Sequence, residues 1–322
     1  MKNRKILSTT FSVLKGLIFI ATLYYIWIKI NGSNDFRNFF REFSEMDIFG
    51  SFLIILVFFG MLINWGLETA KWKYLISKFE NISFFRAFRA VWSGITINNW
   101  IPNRLAEFLG RILYIRTENR TKAIFSTLIG NMAQMIMTTL WGSLGLLIWL
   151  CFEDRSGFMI MTILLVGLNV TLIYFYFHIK IAHKLISKFK FLHFIAEYSN
   201  IISSYSLIEL SAILGLSFIR YFVYLTQYFL LFKAFGIEAN GILLLSSAAM
   251  IFLIQVVLPS FTLSEIGIRG ATVLYVAGNF SANINGLLAA AYSLWLINII
   301  IPTLFGAFFV LGLKLKNTAK TI

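Results

Sequence analysis

Long apolar runs, separated by short polar and basic segments, dominate the sequence. A helix needs about 20 apolar residues to cross the hydrocarbon core of a bilayer. Six runs meet this length and predict full membrane spans, at about residues 11–30, 48–70, 124–150, 158–178, 207–232 and 284–312. We therefore predict an all-α polytopic membrane protein with a single transmembrane domain over residues 1–322.

Two further apolar regions, 84–116 and 241–279, are interrupted by Pro102 and Pro259. Proline lacks the backbone N–H that a helix needs and disfavours helix in the residue before it, so each region divides into two arms. In the first region these arms have about 15 and 11 residues and are too short to cross a bilayer. The alternative is a single kinked span over 87–115.

The distribution of basic residues favours a re-entrant hairpin over the kinked span, because basic loops of membrane proteins face the cytoplasm. A kinked span would place the lysine-rich segment after residue 178 outside, opposite the basic amino terminus. A hairpin keeps that segment, both termini and the 71–89 connection inside; the connection carries Lys71, Lys73, Lys78, Arg86 and Arg89. For the second region, a hairpin and two short crossings agree equally well with the charges, and the matching proline favours the hairpin.

The two proline-containing regions occupy matching places in two halves of the chain, about 48–150 and 207–312. The proline lies 54 residues after Ile48 in the first half and 52 residues after Leu207 in the second. The halves run in opposite directions, so we predict an inverted-topology repeat whose hairpin tips meet near the midplane. The connecting segment 179–206 has lysines on one face of a helix at 179–195, which predicts an amphipathic connection on the cytoplasmic surface.

Composition excludes several classes of protein. Only 13% of the residues are charged and 59% are hydrophobic, which excludes a soluble enzyme. The net charge of +14 comes from Lys and Arg in loops, so we expect membrane lipids as partners and no nucleic acid. One cysteine, Cys151, provides no thiolate metal site, and nucleotide-binding motifs are absent; we expect no metal and no cofactor.

Each hairpin carries a glutamate after its proline and an arginine four residues later, Glu107–Arg111 and Glu265–Arg269. A charge inside a bilayer costs about 2.5–3.5 kcal/mol by insertion scales, so it seldom lies there without a partner or a function. The pairs either hold each hairpin together through i,i+4 contacts or line a transport pathway. We favour the pathway, because discontinuous segments in matching places of two halves indicate a transporter's binding site.

The start of each second arm predicts a site for an anion such as a lipid phosphate. The first N–H groups of a helix lack partners, and the helix dipole is positive there. Arg220, near the middle of its span, indicates a polar face directed inward with Tyr224 and Gln227. The predicted substrate-binding residues are Asn99, Pro102, Asn103, Arg104, Glu107, Arg111, Arg220, Pro259, Ser260, Thr262, Glu265 and Arg269.

The run Asn99-Trp100-Ile101-Pro102-Asn103-Arg104-Leu105-Ala106-Glu107, continued by Arg111, resembles a motif of the lysylphosphatidylglycerol synthase/flippase transmembrane-domain family. Pro259 followed by Glu265 is similar as well, and the pattern agrees over nearly the whole chain. The resemblance implies a bacterial inner-membrane protein with lipid flippase activity. It implies functional roles for the matching positions Pro102, Arg104, Glu107, Arg111, Pro259 and Glu265. Lysyl transfer in the family belongs to a soluble domain, and we do not expect it of this membrane unit.

The sequence thus predicts a transporter that moves a phosphate-bearing lipid or lipid-linked precursor, with an anionic or zwitterionic headgroup, between leaflets. The alternative is a membrane-embedded transferase or an accessory protein of lipid or cell-envelope biosynthesis. A third interpretation is a scaffold whose ion pairs are only architectural. A transferase would alter its lipid chemically, whereas a transporter would only relocate it.

Overall fold

The computed structural model describes residues 40–99, 106–153, 158–178, 204–258 and 265–312. All regular structure in these ranges is helical, as predicted. A 3-10 turn, Thr117–Asn119, and a π-helical segment, Leu296–Ile300, accompany the α-helices. In chain order the α-helices are α1 (Ile48–Ile76), α2 (Phe84–Asn98), α3 (Glu107–Ile112), α4 (Arg120–Glu153), α5 (Phe158–Phe177), α6 (Leu207–Ala234), α7 (Gly241–Val257), α8 (Glu265–Ala277), α9 (Ile284–Trp295) and α10 (Ile301–Leu311).

Five helical stretches in the described residues are long and apolar enough to cross a membrane, and they coincide with five of the six predicted spans. The protein is therefore a multi-pass membrane protein. The predicted span 11–30 and the amphipathic segment 179–195 lie outside the described residues. The five stretches are Ile48–Ile76, Thr117–Cys151, Met159–Phe177, Leu207–Ala234 and Ile284–Leu311.

Helix α1 extends beyond the span predicted for it. The Asp47 side chain caps its start by accepting the Gly50 N–H at 2.6 Å, and the helix ends at Ile76. Lys71, assigned above to a cytoplasmic connection, lies inside this helix with only 1% of its surface exposed. That assignment was wrong, because buried apolar residues such as Trp72 continue the interior face of the helix past Lys71.

Helices α1 and α6 pack along most of their length and run antiparallel. Gln227 donates to the Val57 carbonyl (2.7 Å), and Lys78 pairs with Glu209 at the other end (2.5 Å). Residue numbers thus rise along α1 as they fall along α6. The end of the bundle at Lys78 and Glu209 is called the Lys78 end below, and the opposite end, where α1 begins beside the end of α6, is called the Gly50 end.

Helices α2 and α3 lie side by side as a hairpin, in contact at Gly94 and Gly110. The absence of side chains there lets the two backbones touch, since a Cβ on Gly110 would overlap the backbone of Gly94. The hairpin opens at the Lys78 end, where the Arg116 N–H donates to Glu80 (3.1 Å) just beyond the end of α1. The chain reverses between the arms, so a single kinked helix over 87–115 is excluded.

Contacts with α10 show how far α2 extends along the bundle. Near its open ends, Phe88 packs against the Phe309 ring and the Tyr114 hydroxyl donates to the Phe309 carbonyl. Asn99, at the end of α2, donates instead to the Thr303 hydroxyl. Thr303 lies eight residues before Leu311, about 12 Å along a helix, so α2 ends part-way along the bundle.

Helix α7 packs against α4 and runs antiparallel to it. Gly142 contacts Leu253, and Gly145 contacts the Ser246 carbonyl. Residue numbers therefore rise along α7 as they fall along α4. Both glycines permit close approach of the helices, as is common between membrane helices. A glycine on α10 does the same for α2, because a Cβ at Gly306 would overlap the Trp92 carbonyl.

Helix α8 returns beside α7 to the end from which α7 started. Arg269 near the beginning of α8 donates to Gln255 near the end of α7 (3.2 Å). The Val276 carbonyl near the end of α8 accepts from Trp149, close to the end of α4 (3.0 Å). This second hairpin therefore opens at the Gly50 end, opposite to the first.

The last span, predicted at 284–312, contains a local change of helix type. A π-helical segment, Leu296–Ile300, separates α9 from α10, and Pro302 is the second residue of α10. Proline has no N–H for the carbonyl four residues earlier, that of Asn298. The Trp65 indole on α1 donates to this carbonyl at 3.0 Å.

Candidate functional site

Three cationic side chains from three helices surround the carboxylate of Glu68. Glu68 Oε2 lies 2.8 Å from Lys71 Nζ on the same helix and 2.9 Å from Arg220 Nη1 on α6. Glu68 Oε1 lies 2.9 Å from Arg111 Nη2 on α3. Glu107 completes a group of five ionisable side chains, which we call the charge cluster: Glu68, Lys71, Glu107, Arg111 and Arg220.

The predicted i,i+4 pair of α3 is present in this cluster. Arg111 Nη2 donates to both Glu107 and Glu68, so the pair also ties the first hairpin to α1. The cluster contains three cations and two carboxylates, which leaves one positive charge in excess. A surplus cation in a low-dielectric interior favours binding of an anion.

Most of the cluster is closed to its surroundings. The side chains of Lys71, Arg111 and Glu68 are 1%, 1% and 3% exposed, whereas those of Arg220 and Glu107 are 17% and 19% exposed. Removing such ions from water is costly, and their close pairing offsets that cost. Arg220 and Glu107 form the accessible edge of the cluster.

Neutral polar groups fix Arg220 in place. Its Nε donates to Asn64 (2.7 Å) and its Nη1 to Gln134 (3.2 Å), while its guanidinium lies 5.2 Å from the Trp65 ring. Arg220 follows Leu207, the first residue of α6, by 13 residues, about 20 Å along the helix. At that depth the side chain belongs to the interior of the bundle rather than to its surface.

Lys71 and Arg111 have further contacts that hold them inward. Lys71 Nζ lies 3.2 Å from the Gly130 carbonyl on α4 and 3.5 Å from the Ser217 hydroxyl on α6. The Arg111 guanidinium lies 5.7 Å from the Trp72 ring. Within the described part of the chain, the buried Arg111 Nε has no hydrogen-bond acceptor.

The structure brings three of the predicted site residues together: Glu107, Arg111 and Arg220. Asn99 is placed at the α2–α10 contact through Thr303, and Arg269 lies between the arms of the second hairpin. Glu265 is the first residue of α8. Pro102, Asn103, Arg104, Pro259, Ser260 and Thr262 lie outside the described residues.

The predicted anion site just past Pro102 lies outside the described residues, and the described part of the second arm is α3. This helix has only six residues, and its N-cap residue Ala106 makes no capping hydrogen bond through its side chain. Glu107 occupies the first turn, where a carboxylate already complements the positive end of the helix. In the described part of the first hairpin, Arg111 is the cation that joins the charge cluster.

Sequence reasoning missed Glu68, Lys71 and Asn64. The available signal was a glutamate inside the apolar run 48–70, followed three residues later by a lysine. Such a pair at helical spacing in a membrane span indicates a buried ion pair, because unpaired charges are costly there.

The fold and the cluster together define a polytopic helical membrane protein with a charged interior and two internal hairpins. The family model of the lysylphosphatidylglycerol synthase TM region matches residues 12–306. The chain belongs to this family, which confirms the resemblance found in the sequence. Neither a search of curated proteins nor one of solved structures finds a significant match.

Proposed function

We propose that this protein is a lipid transporter that moves a lipid with a phosphate-bearing headgroup between the leaflets of a bacterial inner membrane. The observation that carries the proposal is the charge cluster, in which an excess cation lies deep in the bundle with Arg220 at its accessible edge. An arginine at such depth is costly and is typical of a substrate pathway. Membership of the family supports a link to lipids.

An inverted repeat is part of the proposal, and the packing supports it. In this repeat α1 corresponds to α6, α2 to α7, α3 to α8, and α4 to the α9–α10 span. The main pairs of packed helices in one half have counterparts in the other under this correspondence. Helices α1 and α6 are antiparallel, and the hairpins open at opposite ends. Such repeats place binding sites between discontinuous helices near the bilayer midplane, and both hairpins are then re-entrant.

The orientation follows from the basic residues. The Lys78 end carries Lys78 itself, Arg86, Arg89 and Arg116, whereas the described connection between α6 and α7 at the Gly50 end carries only Glu238. Basic loops face the cytoplasm, so the Lys78 end is cytoplasmic in this proposal. Both termini then lie in the cytoplasm.

In this mechanism the headgroup phosphate pairs with Arg220 and Arg111 while the acyl chains stay in lipid. Guanidinium groups suit the task, because they bind phosphate oxygens through two parallel hydrogen bonds. The two halves rock about the cluster and open it alternately toward each leaflet.

Reconstitution tests the proposal. Liposomes that contain the purified protein should translocate fluorescent phosphatidylglycerol faster than empty liposomes, as measured by quenching with an impermeant reductant. Arg220→Gln should lose most of this activity, whereas Arg89→Gln, the same change at an exposed position outside the cluster, should retain it. Translocation no faster than in empty liposomes, or a chemically altered lipid in mass spectrometry, would contradict the proposal; the latter result would indicate a transferase.

A further inference from the structure

The charge cluster has the geometry of an anion-binding site already occupied by a carboxylate of the protein itself. Lys71, Arg111 and Arg220 approach the two oxygens of Glu68 at 2.8–2.9 Å from three helices. By contrast, Glu107 has Arg111 as its ion-pair partner in the described residues. Glu68 therefore lies at the centre of the site, and Glu107 lies at its edge.

The site retains donors that Glu68 does not use. Arg111 is almost completely buried, and its Nε has no acceptor among the described residues. Arg220 is fixed by Asn64 and Gln134, yet 17% of its side chain is exposed. A tetrahedral oxyanion offers more acceptor sites than a carboxylate and can serve both guanidinium groups.

Lys71 supplies a partner for Glu68 when the arginines are otherwise engaged. The two residues lie three positions apart on α1, with Nζ 2.8 Å from Oε2. Their contact does not depend on α3 or α6, the helices that carry Arg111 and Arg220. The Glu68 carboxylate can thus leave both arginines without becoming an unpaired buried charge.

We propose that Glu68 is an exchangeable internal counter-ion. The phosphate oxyanion of a headgroup displaces the Glu68 carboxylate from Arg220 and Arg111, Glu68 remains paired with Lys71, and it returns to the arginines when the phosphate leaves. Each arginine then has an anionic partner in every state, and the returning carboxylate limits the affinity for the headgroup and speeds its release. The lipid nature of the ligand rests on the proposed function, whereas oxyanion binding by the cluster does not.

Binding by Glu68→Gln tests this exchange. Purified full-length protein in uncharged detergent is titrated with dihexanoyl phosphatidylglycerol or with inorganic phosphate, and thermal unfolding reports the affinity. Without the competing carboxylate, Glu68→Gln should bind at least one probe about tenfold more tightly than the wild type, which corresponds to about 1.4 kcal/mol. Translocation by this variant should be slower, because release is slower.

Glu209→Gln is the matched control, because it removes the same charge at the Lys78 end, outside the cluster. Its affinity for both probes should equal that of the wild type. A tighter response to both probes by Glu68→Gln identifies any phosphate oxyanion as the ligand, and a response to phosphatidylglycerol alone identifies the lipid headgroup. Affinity for both probes equal to or weaker than that of the wild type overturns the proposal.

A second variant covers failure of Glu68→Gln to fold. Glu68→Gln combined with Lys71→Gln keeps the net charge of the cluster and leaves both arginines without the central carboxylate, so it should also bind more tightly than the wild type. If the variants bind more tightly but the wild type does not translocate lipid, the proposed transport is rejected and the proposed displacement of Glu68 by an oxyanion stands. Translocation by the wild type without tighter binding by either variant would reject the exchange alone.

Discussion

In the proposed repeat, the two halves of the molecule share their main packing pairs but differ in their charges. Glu68 lies 20 residues after Ile48, the first residue of α1, and Gln227 lies 20 residues after Leu207, the first residue of α6. Glu68 faces three cations, whereas Gln227 makes a neutral hydrogen bond to a backbone carbonyl. Under the proposed repeat, matching places thus carry an ionic centre in one half and an amide in the other.

The arginines of the two hairpins also bond to different elements. Arg111 of the first hairpin bonds to Glu68 on α1, whereas Arg269 of the second donates to Gln255 on its own neighbouring arm. Close contacts at glycines, however, occur in both halves, at Gly306 and at Gly142. The comparison teaches that close packing is common to both halves, whereas the charge cluster belongs to the first half, and our proposal assigns headgroup binding to that cluster.

The largest expected effect comes from removing the ionic centre. Glu68→Met leaves three cations with one carboxylate, and loss of one partner of a buried ion pair costs about 3–5 kcal/mol. The matched change Gln227→Met removes a neutral hydrogen bond and should cost about 1–3 kcal/mol. Reversible unfolding in mixed micelles measures both. Equal losses of unfolding free energy would show that Glu68 is no more important to stability than the neutral amide of Gln227.

A smaller effect is expected at the shared glycine contacts. Gly306→Ala and Gly142→Ala place a methyl group against a facing helix and should each cost about 1–3 kcal/mol through overpacking. Gly215→Ala on α6 is the control, because nothing lies within 4 Å of its added Cβ; it should be neutral or slightly stabilising. If alanine destabilised the protein at only one of Gly306 and Gly142, the two glycine contacts would not be equivalent.

The span with the π-helical segment offers a third test, because α4 in the first half is α-helical throughout. Trp65→Phe removes the indole that donates to the Asn298 carbonyl and should cost about 1–3 kcal/mol. Trp72→Phe on the same helix removes a bond to the Thr127 hydroxyl and should cost less, since that hydroxyl keeps its bond to the Ala123 carbonyl. Each change also removes one arginine–indole contact. The difference between the two losses of unfolding free energy therefore reports on the hydrogen bond to the Asn298 carbonyl.

The smallest effect is expected at the Lys78 end. Lys78 and Glu209 join α1 to α6 at 2.5 Å, but their side chains are 30% and 28% exposed. Pairs with such exposure contribute about 0.2–1 kcal/mol. Lys78→Met should therefore change unfolding free energy by less than Glu68→Met does. If Lys78→Met lost as much unfolding free energy as Glu68→Met, the main ionic contribution to stability would lie at the Lys78 end rather than in the charge cluster.

Features that depend on local sequence were predictable. Apolar length determined five spans that the structure reproduces, and Pro102 and Pro259 correctly marked the places where two regions divide into arms. The Glu107–Arg111 contact followed from its spacing, because residues four apart share a helix face.

Features that depend on distant partners were not predictable in this way. Arg220 indicated an inward polar face, but nothing local identified its partner Glu68, 152 residues earlier in the chain. Lys71 looked like a loop residue because its neighbours Lys73 and Lys78 are basic, and only the packing of α4 and α6 around it buries it. The hydrogen bond from Trp65 to the π-helical segment Leu296–Ile300 likewise joins residues that are distant in the sequence.

The central claim is that two hairpins enter the membrane from opposite sides and leave on the side from which they entered. Single cysteines at Asn81 and Glu118 flank the first hairpin, and those at Glu238 and Ala282 flank the second, with the exposed Cys151 replaced by serine. Labelling with an impermeant maleimide on intact cells should reach positions 238 and 282, and should reach 81 and 118 only after permeabilisation. Labelling of 81 and 118 from opposite sides would contradict the account.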